Sequence, residues 1–177
     1  MRSLSLILAV GAAIAGATSW AAETLLTLRT GPAVLKLADT GALQSWEIGP
    51  SGRQLLARGE PAPLLKVQVD GQRHAPDHAT WDAAQQRLTL RYTAAKATVI
   101  VQATAKATHG VFEIVSVEPA DRVELVQWGP FPLAIGETIG EIVGVVRDRE
   151  FAVGLQALNV KTLGGSPANE NDIDAEY

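Results

Sequence analysis

Turn signals recur along this chain about every 8–12 residues, and no 12-residue window beyond the N-terminal segment carries a convincing helical period. Short apolar runs punctuated at that spacing are the mark of an all-β sandwich or barrel. Leu25 to Arg29 and Ala33 to Leu37 are split by Gly31-Pro32, and Asp39-Thr40-Gly41 separates the second run from Leu43 to Ile48. That apolar run, D-T-G turn and second apolar run predict a hairpin. Leu64 to Val69 predicts a strand with Leu65, Val67 and Val69 on one face and Lys66 and Gln68 on the other. Asp70-Gly71 behind it is the strongest hairpin signal present, because a type I′ turn favours Asp or Asn followed by Gly.

Further on, His74 to His78 contains Pro76 and predicts a loop, with Thr80-Trp81-Asp82 opening the next strand. Leu88 to Tyr92, Ala97 to Ala103 and Val111 to Val117 alternate in turn. Ile142 to Val146 and Phe151 to Leu158 predict two strands joined by the charged turn Arg147-Asp148-Arg149-Glu150. The alanine-rich pieces Ala83-Ala84, Ala94-Ala95 and Ala103 to Ala107 favour helix on propensity, yet their spacing places them at strand ends. The expected class is all-β, an antiparallel β-sandwich.

With 177 residues, the chain suits one domain, large enough to hold a core without staples. It has no cysteine, which excludes disulfides and thiolate metal sites. The formal charge is −4 and the basic residues are scattered. Nucleic-acid binding, which relies on clustered cations, is therefore not expected, and neither is a polybasic membrane contact.

The first segment has the build of a secretory signal. Arg2 supplies the positive end, Leu4 to Ile14 the apolar stretch, and Ser19-Trp20-Ala21 the small residues before cleavage. The apolar stretch is shorter than the ~20 residues a membrane span requires. Cleavage is expected after Ala21 or Ala22, leaving no membrane span and an exported product, periplasmic or extracellular. The expected organisation is a signal peptide over 1–21, a β-domain over 22–165 and a polar tail over 166–177. The tail is either a disordered terminus or the start of a linker; Leu163-Gly164-Gly165 favours an exit into a further domain.

Candidate chemistry is sparse. His74 and His78 have a helical metal-ligand spacing, but Pro76 between them breaks the shared face. Glu124, Glu137 and Glu141 are the carboxylates to weigh for glycosidic acid–base work, which needs two acids flanking a bond; in a β context they belong on solvent faces or in turns. Ser116 and Ser166 lie in no nucleophile motif. Gly136, Gly140 and Gly144 lack the Lys-Ser/Thr of a phosphate loop. No catalytic residue, metal ligand or cofactor is expected from these patterns. Trp46, Trp81 and Trp128 could each grip a sugar ring, although an aromatic on a half-buried strand normally joins the core. Trp128 is the carbohydrate-binding candidate, since Gly129-Pro130 and Pro132 place it at a turn.

The stretch W-G-P-F-P (Trp128 to Pro132), followed by Ile139 to Asp148 and Phe151 to Gly165, resembles the N-terminal β-domain of large secreted bacterial carbohydrate-active proteins. In those proteins a galactose-mutarotase-like supersandwich precedes a TIM-barrel catalytic domain of the α-galactosidase kind. The resemblance implies a non-catalytic leading domain of a glycoside hydrolase, with a carbohydrate and a C-terminal catalytic domain as partners. No family catalytic residue maps onto this chain. A free-standing periplasmic carbohydrate-binding module and a structural or adhesive exported β-domain are the alternatives.

Overall fold

The computed structural model describes residues 22–139, 144–159 and 161–162. The expected signal segment and polar tail lie outside these residues, as do Ile142 and Val143. In chain order the strands are β1 (Thr24–Thr30), β2 (Ala33–Ala38), β3 (Leu43–Ile48), β4 (Arg53–Gln54) and β5 (Leu65–Val69). They continue with β6 (Gln72–His74), β7 (His78–Asp82), β8 (Arg87–Tyr92), β9 (Ala97–Ala105) and β10 (Gly110–Glu118). Last come β11 (Leu125–Trp128), β12 (Thr138–Ile139), β13 (Val145–Arg147) and β14 (Ala152–Gly154). No helix occurs among the described residues. The fold is all-β and its strand pairs are antiparallel.

Among the described residues four sheets form, in the orders β1-β2-β3-β4, β10-β9-β8-β7, β11-β5-β6 and β12-β13-β14. Both early hairpins form where expected. Asp39-Thr40-Gly41 turns β2 into β3, and Asp70-Gly71 turns β5 into β6 with positive φ at both positions, 51° and 71°. That is the backbone a type I′ turn demands, and its twist matches that of the flanking strands. The charged turn also forms, between β13 and β14.

Three expectations need correcting. The strand expected over Phe151 to Leu158 is confined to Ala152–Gly154, and Leu155 and Leu158 are exposed beyond it. Thr80-Trp81-Asp82 ends β7 instead of opening it, since the strand starts at His78. Ala83-Ala84 and Ala94-Ala95 lie in the tight turns flanking β8, not at strand ends. Those turns are closed by Gln86 and Lys96 with φ of 53° and 52°, side chains that give no turn signal of their own.

The inward alternates of three sheets meet in one core. Leu26, Leu28 and Leu37 come from the first sheet, Leu88, Leu90, Val99 and Val101 from the second, and Leu65 and Val67 from the third. Full burial of such side chains stabilises by roughly 1.5–3 kcal/mol each. The exposed ion pairs contribute about 0–1 kcal/mol apiece, so the core decides the fold. A smaller cluster of Leu55, Ile135 and Val153 seats the β12-β13-β14 sheet, and Trp46 and Leu133 pack against both clusters.

Three bulges break the ladders among the described residues. Val115, which is 45% exposed, is the extra residue in β10 opposite β9. Leu25 has the same role in β1. In β3 the register passes from Lys36↔Ser45 to Leu37↔Leu43, leaving Gln44 as the extra residue. A bulge bends the strand and re-aims the side chain it carries.

Candidate functional site

Trp128 is the last residue of β11, aligned with Leu65 of β5, and is half-buried. Its indole lies 6.2 Å from the Phe112 ring, tilted by 56°, and packs against the main core. Trp46 meets Phe131 edge-on at 6.4 Å, and Trp81 packs against the main core from β7. Ring pairs in these geometries are worth about 0.5–1.5 kcal/mol beyond the area they bury. All three tryptophans therefore help to hold the fold.

The carboxylates have firm local partners. Glu124 accepts hydrogen bonds from the Gly71 amide at 3.1 and 3.3 Å and from Gln68 Nε2 at 2.8 Å. Its carboxyl is held below the usual range, chiefly by Gln68 and then by the Gly71 N–H. Asp148 accepts the Glu150 and Phe151 amides at 2.8 Å each and pairs with Arg53, whose guanidinium lies 5.6 Å over the Phe151 ring. The Phe151 and Glu150 amides, followed by Arg53, keep its pKa low. Glu47 is lowered mainly by the Lys36 ammonium, 3.1 Å away. Glu137 is exposed near the start of β12, and Glu141 lies outside the described residues.

His74 closes β6 and His78 opens β7, so a loop containing Pro76 separates them. Among the described residues no three His, Cys, Asp or Glu side chains gather as a metal site would require. No helix among them is long and apolar enough to cross a membrane.

One concavity combines polar side chains with two leucines. It is an open hollow of about 220 Å³ between the bulged end of β3 and the loop after β4, lined by Leu43, Gln44, Gln54, Leu56, Arg58 and Glu60, among others. Leu43 and Leu56 are buried. Gln54 Oε1 accepts both the Trp46 amide at 2.9 Å and the Leu56 amide at 3.1 Å, which fixes the plane of its side-chain amide. Gln44 donates to the Ala22 carbonyl and accepts from Thr24 Oγ1 at 2.6 Å. Sequence reasoning passed over both glutamines, because the bulge that aims Gln44 and the two amides that clamp Gln54 exist only in the folded chain.

Searches against protein-family models, curated proteins and solved structures each returned no match for this chain.

Proposed function

We propose that this chain is an exported, non-catalytic accessory β-domain of a carbohydrate-active protein, with a supersandwich-like packing of its sheets. Its role is to lead a glycoside hydrolase whose catalytic barrel lies elsewhere in the polypeptide, and to pack on that barrel or shape its glycan cleft. The observation that supports this reading is the all-β build of antiparallel sheets around a shared core, with no helix among the described residues; the carboxylates with displaced pKa values are consistent with it. A glycosidic general acid needs a raised pKa so that it holds its proton near neutrality. Glu47, Glu124 and Asp148 are shifted the opposite way, by contacts that bind backbone amides, a side-chain amide or a cation. Such carboxylates stay ionised and serve the scaffold.

Two measurements test the reading. The gene is expected to continue in frame beyond Tyr177 for the length of a barrel domain, and an immediate stop codon overturns the accessory role. The purified chain is expected to turn over no member of a panel of nitrophenyl glycosides, and hydrolysis lost on mutating one carboxylate overturns the non-catalytic role.

The second reading, a free-standing carbohydrate-binding module, is favoured by the polar concavity beside β3. Trp128 belongs to the same question. A glycan array comparing the parent with Trp128→Ala assigns it a binding role only if that substitution abolishes a signal while the fold is retained.

A further inference from the structure

The geometry points to the concavity formed by Gln44, Gln54, Arg58 and Glu60 as a binding site for one uncharged pyranose ring. This inference rests on the carbohydrate reading proposed above and gives it a location.

The first argument is chemical. A sugar hydroxyl both donates and accepts, so a sugar site needs donors and acceptors side by side. Gln54 Oε1 is occupied by two backbone amides. Its Nε2 has no acceptor among the described residues, and Gln54 lines the concavity, so this amide is a donor free to meet a ligand. Arg58 adds further donors and Glu60 adds acceptors, both from exposed loop positions without an ion-pair partner among the described residues. One cation and one anion at the rim cancel, which suits an uncharged ligand better than a uronic acid or a phosphate. Leu43 and Leu56 line its base and add a small apolar contact for the C–H groups of a ring.

The second argument is preorganisation. Gln44 stands on a bulge and is held by Thr24 and the Ala22 carbonyl, while Gln54 is held by two amides. Side chains fixed by their own supporting hydrogen bonds lose little freedom when a ligand arrives. The third argument is size. At about 220 Å³ the concavity falls below the roughly 300–1,000 Å³ typical of sites for drug-sized ligands. A single ring fits that scale, and its affinity should be on the order of millimolar.

The test is an amide NMR titration of the full chain with neutral methyl hexopyranosides, with a methyl glucuronide as the charged comparator. The expected result is a saturable shift of the Gln44 and Gln54 side-chain amides and of the Gly59 backbone amide with at least one neutral sugar. Gln54→Glu keeps acceptors for the Trp46 and Leu56 amides and removes the donor; it should weaken binding roughly three- to tenfold. Arg58→Ala and Glu60→Gln alter exposed side chains, so they decide the matter if Gln54→Glu fails to fold; each should weaken binding about threefold. The inference is overturned if no neutral sugar gives saturable shifts up to about 100 mM, if the shifts centre on Trp128, if only the glucuronide binds, or if the variants bind as the parent does. A stop codon after Tyr177 sinks the accessory role without touching this titration, whereas a blank titration leaves the accessory role standing.

Discussion

Glu124 closes a turn that lies 53 residues earlier in the chain, its Oε1 accepting the Gly71 amide at 3.1 Å. Neighbouring β11 and β5 are thus joined by a side chain as well as by their ladder. Glu124→Ala removes the acceptor of the Gly71 amide and the partner of Gln68, and should lower Tm by roughly 2–4 °C. Glu124→Gln keeps one carbonyl acceptor and should lower it less. The effect depends on pH in a definite sense. The folded pKa is depressed, so the stabilisation is present above the unfolded value of about 4.3 and is lost as pH falls through the folded value. Thermal melts of the parent and Glu124→Gln should differ at neutral pH and converge in acid; a gap that widens in acid contradicts the assignment.

Gly41 and Gly71 both sit in hairpin turns at positive φ, 83° and 71°, but they are surrounded differently. A Cβ at Gly71 meets nothing within 4 Å, whereas one at Gly41 would lie 2.8 Å from Pro76 Cγ and 2.9 Å from Leu90 Cδ2. Gly71→Ala therefore carries only the left-handed backbone penalty, about 1–2 kcal/mol. Gly41→Ala adds overpacking against a buried leucine, a further ~1–3 kcal/mol. Urea unfolding should rank Gly41→Ala clearly below Gly71→Ala, and equal costs would show that the Pro76 loop yields freely.

Tyr92 is buried between sheets, with its hydroxyl donating to the Leu65 carbonyl at 3.3 Å. Burial disfavours the phenolate and pushes its pKa upward. A raised folded value means that this group's contribution is intact below about pH 10 and is lost as pH climbs toward the folded value. In a Tyr177→Phe background Tyr92 is the remaining tyrosine. Absorbance at the phenolate band should then stay flat through the ordinary phenol range and rise only together with loss of the β circular-dichroism signal. A rise near pH 10 with the fold intact would mean that the ring is open to solvent.

Much of the fold was legible where one residue type admits few conformations. Asp70-Gly71 announces its turn because left-handed backbone at two successive positions suits few other pairs. Leu65, Val67 and Val69 announce a half-buried strand by strict alternation, and the structure buries all three. The turns closed by Gln86 and Lys96 were not legible, because Gln and Lys rarely take the positive φ they adopt there and so give no turn signal. The pairing of β11 with β5 across five intervening strands is a tertiary choice with no local mark. Trp128 illustrates the same limit for the site. Its neighbouring prolines mark a turn, but Phe112, whose ring meets the indole at a tilt, lies on a distant strand. Gln44 and Gln54 were less visible still, being ordinary polar residues until a bulge and two amides fix them in place.

Asp148 performs two tasks that can be separated by mutation. Its Oδ1 accepts the Glu150 and Phe151 amides and so shapes the turn between β13 and β14, while its Oδ2 meets Arg53 of β4. Its side chain is only 8% exposed, whereas that of Glu150, the other partner of Arg53, is 70% exposed. Asp148 is therefore the stronger of the two partners of Arg53, and it ties the small sheet to β4 beside the apolar cluster that seats it. Asp148→Asn retains a turn acceptor and loses the charge pairing; Asp148→Ala loses both. Hydrogen exchange at neutral pH should speed several-fold across β13 and β14 in Asp148→Asn and further in Asp148→Ala, with β8 and β9 unchanged in both. Arg53→Ala should speed exchange more than Asp148→Asn, because it also removes the Glu150 pairing and the contact with the Phe151 ring. The depressed folded pKa of Asp148 sets the sign with pH: the anchor holds above the unfolded value of about 3.9 and fails as pH drops through the folded one. Acid should thus loosen β13 and β14 in the parent before the main core melts. Simultaneous loss of both clusters would show that Leu55, Ile135 and Val153 hold the small sheet without the ion pair.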